Sequence, residues 1–272
     1  MLYALLGAVA IGLTLGLLGS GGSILTVPVL VYLAGQPDKV AIAESLAIVG
    51  AIALVGAGSY ARQGLVDWRA VLGFGVPGIA GTYLGAVAAS FVPGAVQLAL
   101  FGVVMLAAAG AMLRSRPDTA GGAPRSVALV AALGVGVGLM TGLVGVGGGF
   151  LIVPALVLLV GLDMRIAIGT SLSIIVLNSA TGFAKYLDVL SQAGTAIDWR
   201  LVGTFAAIGI AGSIAGSRLG RYVPQEALRR GFAVFLVAMG LFILYRESPE
   251  ALGLREAPAV AAASASVPTR PG

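Results

Sequence analysis

The chain contains no cysteine and no histidine. These two absences remove disulfides, thiolate nucleophiles, zinc sites with nitrogen or sulfur ligands, histidine-ligated haem and the usual imidazole proton relay. Charge is scarce as well: only 10% of the 272 residues are Asp, Glu, Lys or Arg, while 58% are hydrophobic, against about one-quarter charged in soluble proteins. Mean hydropathy is +1.04. Apolar blocks fill almost the whole length between Leu2 and Tyr245, leaving no stretch for a separate soluble domain and confining any chemistry to a membrane bundle. The net charge of +5 comes from 14 Arg and 2 Lys against 11 acids. The cations fall mainly between apolar blocks, which is how topology-setting loop charge is distributed, and nucleic acid is not an expected partner. Met1-Leu2-Tyr3 lacks the basic n-region of a cleaved signal peptide, so the first segment is read as retained.

What the chain does contain is a repeat. Gly19-Ser20-Gly21-Gly22-Ser23, followed by Pro28, returns 126 residues later as Gly145-Val146-Gly147-Gly148-Gly149, followed by Pro154. At the same offset Gly16, Ser45 and Tyr60 meet Gly142, Ser171 and Tyr186, and after five extra residues Asp67-Trp68-Arg69 meets Asp198-Trp199-Arg200. Apolar runs divide each half into five segments, roughly 2–18, 24–34, 40–61, 68–91 and 95–113, then 127–144, 150–160, 166–187, 199–222 and 225–245. The expected architecture is an all-α polytopic membrane protein: a first transmembrane repeat over 1–113, a linker at 114–125, a second repeat over 126–246 and a disordered tail at 247–272. The second segment of each half has roughly 11 residues, and about 1.5 Å of rise per residue cannot cross a core of about 30 Å. Each half is therefore expected to hold a short or re-entrant broken helix.

Loop charge bears on orientation. With inverted halves, Arg62, Arg69, Arg114, Arg116, Arg125, Arg165, Arg218, Arg221, Arg229 and Arg230 share one side against Lys39, Lys185, Arg200 and Arg246, ten against four. Parallel halves, in which the first two segments make one broken crossing, give eight against six. The stronger bias favours inverted repeats, with the parallel arrangement as the alternative.

A helix that begins inside the membrane points unpaired N–H groups and a positive dipole end into whatever fills the cavity, and anions suit it. Interrupted segments at matching positions of two halves are a sequence pointer to a transporter's substrate site. On that basis Ser20, Gly21, Gly22 and Ser23 of the first break and Gly147, Gly148 and Gly149 of the second are the candidate ligands, converging near the midplane, with Pro28 and Pro154 in the first turns of the short helices. Ser45, Thr170, Ser171 and Ser173, near the start of the third segments, offer hydroxyls, and the Asn178 amide and the Thr181 hydroxyl lie further along the same helix. The competing reading is that the glycines serve close helix packing and that the hydroxyls bond their own backbone. Glu44, a carboxylate inside a span, is either a proton carrier or the partner of Lys39. Lys185 and Arg62 either attract anions or snorkel to the interface. Trp68 and Trp199 read as interfacial anchors. No nucleophile with a base and no paired carboxylates stand at suitable spacing, so neither an enzyme nor a resident metal or cofactor is expected.

The motif Gly-x-Gly-Gly-(Ser/Gly) with its proline, followed by Ala-Ile-x-x-Ser-Leu and Asp-Trp-Arg, resembles the TauE/SafE sulfite exporter family over about residues 5–245. The resemblance implies an inner (plasma) membrane permease, multi-pass, that moves sulfite, sulfoacetate or related sulfur-containing or organic anions by alternating access. It also implies coupling to an ion gradient, proton or sodium, and dimerisation as a homodimer. Gly169-Thr170-Ser171 keeps the family's Gly-Thr-Ser, whereas the first copy reads Ala43-Glu44-Ser45. An anion channel and a non-transporting membrane assembly or scaffold protein are the alternatives that the residues leave open.

Overall fold

The computed structural model describes residues 2–89, 92, 94–114, 126–144, 149–192 and 196–251, and among them every regular element is helical. The first half comprises α1 (Leu2–Leu18), α2 (Gly21–Pro28) with a π-helical turn over Val29–Leu33, α3 (Asp38–Ala61), α4 (Trp68–Ala70) running through a π turn at Val71–Gly75 into α5 (Val76–Ala89), and α6 (Gly94–Arg114). The second comprises α7 (Val127–Val144), α8 (Gly149–Pro154) with a π turn over Ala155–Val160, α9 (Met164–Gln192), α10 (Trp199–Leu219) and α11 (Gln225–Ala251). Residues 115–125 and 252–272, which hold the expected linker and tail, lie outside the described residues, and α11 continues five residues past the expected boundary at 246.

Among the described residues, four helical stretches are long and apolar enough to cross a membrane, at Val40–Ala61, Met164–Leu187, Trp199–Leu219 and Gln225–Tyr245. Leu54, Leu72, Leu84, Val103, Val234 and Leu241 are exposed on the outside of the bundle, which is the placement of a protein whose outer solvent is hydrocarbon. The protein is an all-helical membrane protein.

Gly21–Leu33 forms a single short rod, whose thirteen residues rise about 20 Å, too little to span. It turns back along α1, with Gly22 against Ile11 and Leu15 and Gly7 against Val29. Pro28 is the last of the eight residues of α2 and Pro154 the last of the six of α8, so neither lies in a first turn. Their role differs from the expected one. A proline inside a helix lacks an N–H and crowds the carbonyl four residues back, and in both copies the chain widens into a π turn directly after it.

Each half packs mainly on the other: α1 along α10, α5 along α7, α3 along α9 and α6 along α11. Glycines make these contacts close. A methyl on Gly12 or Gly16 would collide with the backbone of Gly209 or Ser213, and one on Gly81, Gly85 or Gly138 with that of Val135, Leu139 or Gly78. Here the small residues let backbones touch, the common packing device in membranes. The same contacts give direction. Gly12 and Gly16 meet 209 and 213 in the same order, so α1 and α10 run parallel, and Gly134 and Gly138 against Phe74 and Gly78 make α5 and α7 parallel too. In α3 and α9 the order reverses, Gly56 meeting Leu172 while Leu46 meets Gly182, and in α6 and α11 Gly102 meets Leu244 while Leu106 meets Gly240.

The aspartates that open the fourth segments are caps. Asp67 Oδ1 accepts from Arg69 N (2.9 Å) and Ala70 N (3.0 Å), and Asp198 Oδ1 accepts from Arg200 N (3.0 Å) and Leu201 N (3.1 Å). Trp68 and Trp199 stand exposed beside them, and Trp199 meets Phe183 edge-on at 6.2 Å.

Packing of this kind predicts a graded glycine series. Gly12→Leu and Gly138→Leu should abolish monodisperse protein on fluorescence-detected size exclusion. Gly110→Ala and Gly203→Ala, where a methyl meets nothing within 4 Å, should be neutral or stabilising by up to about 1 kcal/mol.

Candidate functional site

The first break begins where α1 stops. Gly19 takes a left-handed conformation, φ +78°, and its N–H closes the helix on Leu15 O at 2.9 Å. A side chain there would be strained and would press within 2.8 Å of Ile168 Cα, so this position requires glycine. Ser20 then occupies the N-cap position of α2 without capping it: no side-chain cap bond forms. Its Oγ is fully buried and has no partner among the described residues. The N–H of Ser23 bonds Ser20 O at 3.2 Å, whereas no carbonyl of α1 accepts from Gly21 or Gly22 among the described residues. A fully buried hydroxyl and first-turn amides with no such bond thus lie side by side, the arrangement a helix start offers to a negative charge.

The other residues around the break are committed to packing or to their own backbone. Ser23 Oγ donates to Ser20 O at 2.7 Å and Thr26 Oγ1 to Gly22 O at 2.7 Å. A methyl on Gly22 would collide with Ile11 O, so this glycine also serves the α1–α2 contact, while one on Gly21 would sit tightly, 3.3 Å from Phe235, against side chains only. From the opposite half, Ser171 Oγ lies 3.2 Å from Gly19 O and 2.8 Å from Ile168 O. Tyr60 donates its hydroxyl to Gly16 O at 3.0 Å, one turn before the break.

The break does not lie at the middle of the bundle. It abuts Ile168, four residues inside α9, a depth of about 6 Å along that helix. The reason is the length of α1: its 17 residues rise about 25 Å, carrying the chain most of the way across before it turns. Nor do all the expected hydroxyls gather at one point. Ser171 packs near residue 57 of α3, since Leu172 meets Gly56, which leaves Ser45 twelve residues, about 18 Å, along the helix from it. Ser45 Oγ is spent on Ile42 O at 2.7 Å. Gly147 and Gly148 lie outside the described residues, and Gly149 opens α8. Arg62 is exposed at the end of α3 that holds Tyr60, and Lys185 is half-buried near the far end of α9.

Thr170 and Glu44, equivalent in the repeat, do equivalent work. Thr170 Oγ1 accepts the backbone N–H of Asp67 at 2.9 Å, and Glu44 Oε1 accepts that of Asp198 at 2.9 Å. Each ties the start of a third segment to the helix cap of the opposite half. Glu44 is fully buried, and the partner it finds is this amide.

Three buried polar groups carried little or no sequence signal. Asn178 Oδ1, Ser179 Oγ and Ser213 Oγ have no partner among the described residues. Ser179 faces Gly50 and Ser213 faces Gly56. Asn178 and Ser179 sit where α3 and α9 cross midway, between the Leu46–Gly182 and Gly56–Leu172 contacts. Only Asn178 stands out in the sequence, as an amide within an apolar run; the serines look like any small residue.

Residues 4–243 match the family Sulfite exporter TauE/SafE. The chain belongs to this family. It is similar to a probable membrane transporter protein of Xylella fastidiosa (strain 9a5c), 32% identical over 245 residues that cover 87% of this chain and 92% of the relative. A second relative, probable membrane transporter protein MJ0441 of Methanocaldococcus jannaschii, is 27% identical over 252 residues, 87% and 94% of the two chains. Probable membrane transporter protein YunE of Bacillus subtilis is 28% identical over 214 residues, 69% and 78%. No solved structure matches the chain. The protein is a membrane transporter.

The cross-half bonds predict an asymmetry of roles. Thr170→Val leaves the Asp67 amide without its acceptor and should cost about 1–3 kcal/mol in a thermal or denaturant unfolding series. Thr170→Ser, which keeps the oxygen, should recover most of it.

Proposed function

We propose that the protein is a secondary transporter of small anions, sulfur-containing or organic, such as sulfite or sulfoacetate. It works by alternating access and sits as a multi-pass protein in the inner (plasma) membrane. The observation that carries this reading is the unpartnered Ser20 hydroxyl beside the start of α2, fully buried and one residue past Gly19, whose carbonyl accepts from Ser171 of the opposite half. Membership of the TauE/SafE family supports sulfite-like anions as the substrate class.

Packing directions support inverted repeats. Equivalent helices α3 and α9, and α6 and α11, run in opposite directions, whereas the cross-half pairs α1 with α10 and α5 with α7 run parallel. A two-fold axis in the membrane plane produces this combination; one along the membrane normal would leave equivalent helices parallel. The first break lies toward one face of the bundle. The face nearer the first break collects Arg62, Arg165 and Arg218 at the ends of α3, α9 and α10, a positive mouth that favours anions and, by the loop-charge rule, the cytoplasmic side. Further along α9 from the first break lie the oxygens of Asn178 and Ser179, buried and without a partner among the described residues, polar positions along the route.

Transport and packing roles of the break separate in Ser20→Ala. Removing a buried hydroxyl that lacks a partner costs no internal hydrogen bond, so thermal stability should hold or rise. One lost hydrogen bond to an anion, about 1.5–3 kcal/mol, should lower flux about tenfold or more in proteoliposomes given radiolabelled sulfite, sulfoacetate, thiosulfate or taurine. Unchanged flux in Ser20→Ala would remove the site, and a channel would show itself by flux that neither saturates nor supports counterflow.

A further inference from the structure

The two cross-half bonds are geometric twins with different chemistry. At Thr170 the acceptor is a hydroxyl that cannot titrate; at Glu44 it is a carboxyl whose Oε1 holds Asp198 N–H at 2.9 Å while Oε2 has no partner among the described residues. We propose that Glu44 is the proton-binding site of the transporter and that one proton moves with each anion. This rests on the transport reading above.

The physical case starts from location. Glu44 is fully buried within the Val40–Ala61 span, where an ionisable group is costly and is retained for a task. The helices packed around it carry Arg165, Lys185, Tyr186 and Asp188 on α9 and Arg200 and Arg218 on α10 with Asp198 at its head, and its own helix carries Asp38, Lys39 and Tyr60; α1 and α2 carry no charged residue. Asp198 is itself a carboxylate, occupied as a helix cap, so it repels an ionised Glu44 and does not balance its charge. A purely structural acceptor needs one oxygen, as Thr170 demonstrates. The second oxygen of Glu44 is free to take a proton.

The step balances simply. A hydronium ion in the water on the open face gives its proton to Oε2: its O–H bond breaks to leave water, an O–H bond forms on Oε2 and the carboxylate becomes a neutral acid; after the bundle opens to the other face, that O–H bond breaks, the carboxylate is restored and a water molecule there takes the proton as hydronium. Throughout, Oε1 accepts from Asp198 N. That bond joins α3 of one half to α10 of the other, the halves whose relative movement changes access, and a hydrogen bond to an ionised acceptor is about twice as strong as one to a neutral acceptor. Protonation therefore loosens one of the two cross-half ties and leaves the Thr170 tie unchanged. An anion entering the pathway also repels the ionised carboxylate and favours its protonated form, so anion and proton load together.

The test uses the full chain in liposomes with radiolabelled sulfite. With one proton per anion, each pH unit of imposed gradient should drive about tenfold accumulation in the wild type. Glu44→Gln keeps an oxygen for Asp198 N–H and should retain sulfite counterflow while losing gradient-driven accumulation. Wild-type accumulation in Glu44→Gln overturns the proposal. A second arm needs no variant: dicyclohexylcarbodiimide, which modifies protonated carboxyls in apolar surroundings, should form an adduct mapped by mass spectrometry to Glu44 and should abolish accumulation. No adduct at Glu44 across the physiological pH range overturns it as well. Absence of flux of every anion in the wild type would instead defeat the transport reading, and the carbodiimide arm would then judge the proton site alone.

Discussion

A bilayer offers no water to a broken helix, so every amide released at a break must find its partner inside the protein. The first break meets this constraint largely by enclosure. Gly19 turns α1 back on itself, α2 lies down along α1, and the opposite half closes over the turn with Ile168 and Ser171. What that enclosure leaves over, a buried hydroxyl on Ser20 beside the first amides of α2, is the polar capacity that a passing anion can use. The same constraint explains why the halves are interleaved at the first break: its own half does not shelter it alone.

Much of this architecture is legible in the residues because close packing and capping have strong local signatures. The glycines shared by the two fourth segments, Gly78, Gly81 and Gly85 with Gly209, Gly212 and Gly216, are those at which the fourth segments touch the first segments of the opposite half. The Asp-Trp-Arg triplets mark helix starts in both copies. Less visible is anything that depends on distance between elements. Pro28 looks like a first-turn residue until α2 is seen to start at Gly21, and Ser45 and Ser171 look like partners because they are equivalent in the repeat. Opposed equivalent helices hold such residues apart, and no sequence offset reports that. Ser179 and Ser213 were invisible for a related reason, since a serine declares itself only when its neighbours fail to bond it.

The duplication is also where the chain departs from symmetry, and the departures are informative. Thr170 and Glu44 support the same amide contact with a neutral and an ionisable oxygen. Ser20 has Val146 as its counterpart, so the hydroxyl at the first break is absent from the second. The midway polar groups Asn178 and Ser179 face Ile52 and Ala53 in the other copy. Packing positions and the aspartate caps are kept alike in both halves, and these polar positions differ. A transporter with two unlike faces needs this: a common scaffold for the movement and different chemistry at each end.

Because the chain has no cysteine, one introduced at position 20 reports on the break without background. Ser20→Cys in membranes, treated with a charged, impermeant methanethiosulfonate, tests the central claim most directly. The account predicts labelling from the arginine-rich face that transported anions slow in proportion to their occupancy. A labelling rate that stays the same at anion concentrations saturating for flux would contradict it.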